Sequence, residues 1–288
     1  MGKPIENPIG KSVLEDLYVN QKLSAIKIAS LYNTKPAQVY YLLNKYGIPC
    51  RSLTKMNTRF SVDESYFKMI DSPEKAYWLG FLYADGYVTE QHKVGLSLAE
   101  CDTGHIEKFR AAIRSTHLVH FYTSSGYSTC RYARLIFSSE EMSADLQRLG
   151  CVQRKSLILM FPTEEQVPPI YLRDFVRGYF DGDGSITTGG KGHYLRLKIC
   201  GTKEFLEGLR NYINSVIQPN ELHTSLEKRH KDEKNNFSLT ISPPYNAKRV
   251  LDELYKDSTV YLDRKYALYM KNCAITVEPT RNGGCLTL

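Results

Sequence analysis

Asp85 and Asp183 are the residues of this chain best placed to do chemistry, because each ends an apolar stretch of the same design. Trp78-Leu79-Gly80-Phe81-Leu82-Tyr83-Ala84-Asp85-Gly86 recurs as Val176-Arg177-Gly178-Tyr179-Phe180-Asp181-Gly182-Asp183-Gly184, 98 residues later (183 minus 85). Two carboxylates about 5 Å apart repel by roughly 3 kcal/mol at an effective dielectric of about 20. A divalent cation relieves that repulsion. Oxygen-only ligands and few protein donors favour magnesium, which keeps several waters and binds phosphate oxygens. Manganese is a second candidate. Carboxylates sharing metal ions suit phosphodiester hydrolysis, in which metal activates water and stabilises the leaving oxygen.

The elements that must position these acids are two helices. Gly80 with Ala84, and Gly178 with Gly182, put small residues four apart on one face, so two backbones can approach closely. If the helices pack on each other, Asp85 and Asp183 meet at their C-terminal ends. Those ends carry partial negative charge and favour cations. The glycines that follow, Gly86 and Gly184, suit the left-handed position that stops a helix.

The duplication runs past the motif, and internal repeats organise the reading of everything after it. Lys93 to Leu98, then a helix through Ile106 and Phe109, correspond to Tyr194 to Ile199, then a helix through Phe205 and Leu209. Arg131 to Phe137 corresponds to Asn236 to Ile241. Each repeat closes with a polar, basic segment before its last helix: Val152-Gln153-Arg154-Lys155-Ser156 and Leu262-Asp263-Arg264-Lys265-Tyr266. The order is helix, two strands, helix, two strands, helix, twice over, an α+β arrangement with helices on one face of antiparallel sheets. Leu195, Leu197 and Ile199 alternate with Tyr194, Arg196 and Lys198, so the sheet face away from the helices is polar and partly basic.

The paired motifs resemble those of the LAGLIDADG homing endonucleases. Gly80, Ala84, Asp85 and Gly86 match the family pattern, as do Gly178, Asp181, Asp183 and Gly184; Tyr83 departs from it at the sixth position. The resemblance spans roughly residues 61 to 275. It implies tandem αββαββα repeats forming a single-chain, DNA-binding saddle, with Asp85 and Asp183 as catalytic metal ligands. It also implies double-strand cleavage at a long asymmetric target, leaving short 3′ overhangs. Lys155 and Lys265 take the place of the family's lysine near the cleavage centre, where a cation stabilises charge building in phosphoryl transfer. The outer sheet faces become candidate DNA contacts through Arg131, Arg134, Tyr194, Arg196 and Lys198, since a β-ribbon fits the major groove. A non-cleaving transcription regulator and an RNA maturase acting on intron RNA are the alternatives that share this fold.

The first sixty residues read as a separate module of three short helices. Val13, Leu14 and Leu17 give the first its spacing, Ile26, Ile28, Ala29 and Leu31 the second, and Val39, Leu42 and Leu43 the third, which opens at Pro36. This resembles a helix-turn-helix domain, with Lys35, Gln38, Tyr41 and Lys45 on the open side of the last helix. Residues 1–60 carry nine Lys and Arg against three acids, a charge of +6. The whole chain is +7, so the remainder is only +1. A concentrated basic module is the electrostatic footprint of phosphate binding.

The expected domains are therefore residues 1–50, helix-turn-helix; 51–73, linker; 74–165 and 166–275, the two repeats; and 276–288, a loose tail. The seven cysteines, at 50, 101, 130, 151, 200, 273 and 285, lack metal-ligand spacing and are expected as reduced thiols. His117 and His120 are read as surface or strand histidines rather than zinc ligands. The chain shows no membrane-spanning stretch and no apolar signal region after Met1, so an intracellular protein is expected. The two repeats within one chain remove the need for a dimer, so a monomer is expected.

Overall fold

The computed structural model describes residues 9–50, 60–124, 130–189, 194–217, 222–229, 234–273, 277–279 and 285–287 of the 288-residue chain. It forms two compact units, Met1–Phe60 and Ser61–Leu288.

In the smaller unit, α1 (Lys11–Glu15) runs into a π-helical turn (Asp16–Asn20), followed by α2 (Ala25–Leu31) and α3 (Pro36–Lys45). Ser24 caps α2 by accepting the Lys27 N–H at 3.1 Å. Pro36 opens α3, where its missing donor costs nothing. Leu14, Tyr18, Ala25, Ile28, Ala29, Val39, Leu42 and Leu43 form the core. Val13, Ile26 and Leu31, expected inside, are exposed instead. On so short a helix, Ala25, Ile28 and Ala29 already complete the buried stripe, which leaves Ile26 and Leu31 on the other side.

The larger unit repeats one sequence of elements. The first copy is α4 (Pro73–Ala84), β1 (Gly86–Val88), β2 (Lys93–Ala99), α5 (Thr103–Ala112), β3 (His120–Thr123), β4 (Arg131–Ser138) and α6 (Glu140–Arg148). The second is α7 (Leu172–Asp183), β5 (Gly184–Gly189), β6 (Tyr194–Gly201), α8 (Lys203–Val216), β7 (Thr224–Lys228), β8 (Phe237–Ile241) and α9 (Pro244–Tyr255). Both antiparallel sheets have the same strand order, β1-β2-β4-β3 and β5-β6-β8-β7. The mixed helix and antiparallel sheet architecture, αββαββα twice, is as expected.

Beyond α9 the chain adds α10 (Asp263–Cys273), and β9 (Val277–Pro279) pairs antiparallel with β10 (Cys285–Thr287). These two short strands lie within the segment read as a loose tail; its other residues are outside the description, as are Arg51, Lys55 and Arg59 of the expected linker. Residues 61–72, also read as linker, belong with the larger unit, since Tyr66, Phe67 and Ile70 are buried in its core. That core is continuous across both repeats, from Leu96, Leu135 and Phe137 through α4 and α7 to Leu197, Leu239 and Ile241. Among the described residues, no helix is long and apolar enough to cross a membrane. Cys50, Cys101, Cys130, Cys151 and Cys200 form no disulfide.

Candidate active site and nucleic-acid face

The motif helices pack through their glycines, and the packing is reciprocal. A Cβ built on Gly80 would stand 1.9 Å from the Phe175 carbonyl oxygen; one on Gly178 would stand 2.0 Å from that of Tyr77. Further along, a Cβ on Gly182 would meet the Ala84 Cβ at 2.3 Å and an Asp85 carboxylate oxygen at 3.2 Å. Any larger residue would force the backbones apart. Gly86 and Gly184 act differently from the expectation of left-handed helix stops. Neither has positive φ; they open β1 and β5 directly. Side chains there would collide with Leu82 and Phe180, so the glycines allow a helix to become a strand without a turn.

Asp85 thus falls at the C-cap of α4 and Asp183 at the last residue of α7. Burial, and after it the facing charge of Asp183, raise the Asp85 carboxyl to about 6 against the pull of Lys265 and Lys155. Burial also raises Asp183, opposed by the same two lysines. This is the signature of a desolvated carboxylate pair.

Lys155 and Lys265 are both buried. The Lys155 ammonium donates to the carbonyls of Ala84, at 3.3 Å, and Gly86, at 2.5 Å. Lys265 donates to Phe180 and Asp181, each at 2.7 Å, to Gly182 at 3.3 Å, and to Gly184. The carbonyls of 84 and 86 in one repeat and of 182 and 184 in the other flank the aspartate of that repeat. Each ammonium therefore neutralises a helix C-terminus and satisfies its orphan carbonyls beside a carboxylate. Desolvation lowers Lys265 to about 8. Neither lysine precedes the last helix of its repeat in the way the sequence suggested. Lys155 follows α6 and opens a 3-10 turn, and Lys265 lies in the first turn of α10.

The sixth motif position is filled by unlike residues that serve one purpose. The buried Asp181 accepts from the hydroxyls of Tyr77, at 2.7 Å, and Tyr255, at 2.6 Å, and from the Leu262 N–H at 2.8 Å. Tyr83 instead donates to the Leu149 carbonyl. Gly150, with φ +95°, leaves room for that hydroxyl, from which a Cβ would stand 2.0 Å. Each residue ties its motif helix to the segment leading toward its lysine. Tyr77 also meets His105 Nε2 at 3.1 Å, and burial holds that imidazole neutral, its pKa pushed down to about 3. Arg177 is buried beside Asp174 at 2.7 Å, gives hydrogen bonds to the Leu254 and Val260 carbonyls, and stands 5.2 Å from the Tyr77 ring centre. Sequence reasoning missed Tyr77, Tyr255 and Arg177. A charge inside an apolar helix with an acid three residues earlier, Asp174 before Arg177, was the available signal.

The candidate contact residues divide. Register puts Ser185, Thr187, Arg196, Lys198 and Thr240 on the outer face of the second sheet. Tyr194 joins β6 at its first position. In the first sheet, Tyr132, Arg134 and Ile136 face out, and Ala133, Leu135 and Phe137 are buried. Arg134 stands 5.0 Å from the ring centre of Tyr122, which stacks on Tyr132. Gly95 makes room for Tyr87 on the same face. Arg131 does not share that face. It follows the parity of Ala133, stands over Phe121 at 5.1 Å and pairs with Glu100 at 3.0 Å. His120 is an exposed residue of β3, while His117 lies against Phe137. At the N-cap of α3 Lys35 is exposed, and on the helix Tyr41 and Lys45 are exposed and Gln38 half-buried, away from the buried stripe.

Residues 171–255 match the family model of a LAGLIDADG-like domain. No curated protein matches the chain. Among solved structures, the homing endonuclease I-WcaI bound to its DNA recognition sequence is similar at a TM-score of 0.51 and 14% identity, over 78% of this chain and 96% of that one. The meganuclease I-SmaMI bound to uncleaveable DNA is similar at a TM-score of 0.46 and 12% identity, over 70% and 89%. The first likeness establishes the shared fold, and the sequence match falls on the helix that ends in Asp183. The chain is thus a protein of the LAGLIDADG fold, with a LAGLIDADG-like domain at residues 171–255.

Proposed function

We propose that the protein is a site-specific DNA endonuclease of the homing type that cuts both strands of a long asymmetric target and leaves short 3′ overhangs. One observation carries this reading: two half-buried carboxylates, both with raised pKa, at the ends of helices packed in reciprocal contact. A facing pair whose surroundings disfavour its charged form fits a divalent cation, magnesium or manganese, which would compensate that charge, better than it fits an ordinary core. Asp85 and Asp183 would hold it. When bound, such a metal supplies an activated water and stabilises the leaving oxygen of a phosphodiester. Lys155 and Lys265 keep cationic charge beside the two carboxylates and hold the aspartate-bearing backbone rigid, which favours a scissile phosphate between the repeats. I-WcaI, which shares the fold, is bound to its DNA recognition sequence in its structure.

On this reading, the outer sheet faces contact DNA through Arg134, Tyr194, Arg196 and Lys198, and the two repeats within one chain let a monomer act. The +6 module of residues 1–60 extends the bound site, with Lys35, Gln38, Tyr41 and Lys45 facing the duplex. A plasmid-library cleavage selection in magnesium tests the activity: one recovered target cut on both strands supports it. Specific binding without any cut points to a regulator instead. Removing residues 1–60 should shorten the protected footprint on one side and flatten the salt dependence of affinity, without moving the cut. An unchanged footprint and salt slope would remove the module from the DNA-binding surface.

A further inference from the structure

The two lysine-bearing segments are held by the opposite repeat. Asp102, from the first repeat, immediately precedes α5, where an aspartate usually caps its own helix. It makes no such cap; its carboxylate accepts the Arg264 Nε at 2.9 and 3.1 Å. Lys108, also of α5, donates to Asp263 at 2.6 Å and to the Tyr261 carbonyl at 3.2 Å. Residues 261–264 lead straight into Lys265. In the other direction, Thr202 caps α8 and donates to the Leu159 carbonyl, and Asn235 donates to the Leu157 carbonyl at 3.1 Å. Asn235 is itself fixed by the Lys203 N–H, at 3.1 Å, and Glu204, at 2.8 Å. Residues 157–159 follow directly on Lys155.

We propose that each repeat positions the lysine of the other: Asp102 and Lys108 hold Lys265, and Thr202 and Asn235 hold Lys155, each over carbonyls in the lysine's own repeat. The inference rests on the endonuclease reading only for its consequence, which is that each strand cut depends on both repeats. These four are positioning residues. They reach the aspartates only through a lysine segment, and a displacement of about 1 Å in a supporting group can cost up to about a hundredfold in rate.

The test resolves the two strands in single-turnover cleavage with magnesium. The strand served by Lys265 is defined as the one slowed by Lys265→Met. Asp102→Ala should slow that strand about tenfold or more and leave the other within about twofold; Asp102→Asn, which keeps the shape and one acceptor, should recover part of the loss. Asn235→Ala should slow the opposite strand. Equal slowing of both strands, no slowing, or slowing of the wrong strand in each case overturns the proposal. A second measurement needs no cleavage. In metal-free protein, the melting shifts of Asp102→Ala and Lys265→Met should fail to add, whereas those of Asp102→Ala and Lys155→Met should add. Additivity in both pairs overturns the proposal. A wild-type protein that cuts nothing overturns the endonuclease reading alone and leaves this cycle to decide.

Discussion

In the second repeat, Lys265 donates to four carbonyls and Asp181 accepts three hydrogen bonds at the sixth motif position. In the first, Lys155 donates to two carbonyls and Tyr83 makes one bond, to Leu149. Both arrangements deliver a carboxylate to the same place between an ammonium and a facing acid. The difference teaches that the fold requires a tie at position six and a cation behind each aspartate, but not the same tie. It also makes the second half the more deeply built. An acid with three donors in a dry interior can be removed only at the cost of all three, whereas a single tyrosine hydroxyl is replaceable.

That contrast breaks most sharply at position six. Asp181→Ala leaves the Tyr77 and Tyr255 hydroxyls and the Leu262 N–H unpaired, and should cost about 4 kcal/mol in urea unfolding. Tyr83→Phe removes one donor and should cost about 1 kcal/mol. Equal costs would mean that the two ties are equally deep.

At the lysines, the comparison sharpens into strands. Lys265→Met and Lys155→Met should each slow one strand cut by roughly a hundredfold, about 3 kcal/mol, with little change in DNA affinity and with nicked product accumulating. Loss of affinity at an unchanged single-turnover rate would reassign the lysines to phosphate anchoring.

The smallest of the three effects is a pH dependence. Asp85 is raised from 3.8 to about 6, so the folded state holds this proton more tightly than the unfolded chain does. Stability is therefore lost as pH rises from about 4 to 6, and the penalty is complete above 6. It amounts to at most about 3 kcal/mol. Asp85→Asn should flatten that slope and raise the melting temperature of metal-free protein at pH 7. Magnesium should stabilise the wild type there, by preferential binding to the folded form, and should not stabilise the variant to the same extent. A wild-type melting temperature that rises between pH 4 and 6 in metal-free buffer, with Asp85→Asn parallel to it, would contradict the pair's raised pKa values.

Much of this was legible in the residues because two patterns repeat. The 98-residue offset relates Gly80 to Gly178 and Asp85 to Asp183, and strand alternation in β6 assigns Leu197 to the core and Arg196 and Lys198 outward. What was not legible depends on contacts distant in sequence. Asp102 to Arg264 spans 162 positions, and Asp181 to Tyr77 spans 104. No local spacing announces such pairs. Arg131, paired with Thr123 at the start of β4, follows the parity of Ala133, and its partner Glu100 lies just beyond β2. Gly86 and Gly184 were read as helix stops because Asp-Gly after an apolar run looks the same whether the chain turns or passes straight into a strand.

The central claim is that Asp85 and Asp183 together form one metal-dependent centre for cutting DNA. The most direct measurement is single-turnover cleavage of the selected target in magnesium by Asp85→Asn and Asp183→Asn, beside gel-shift binding of the same DNA. Each single variant should bind with near wild-type affinity and produce no double-strand break. Double-strand cleavage by either variant at the wild-type rate would contradict the claim.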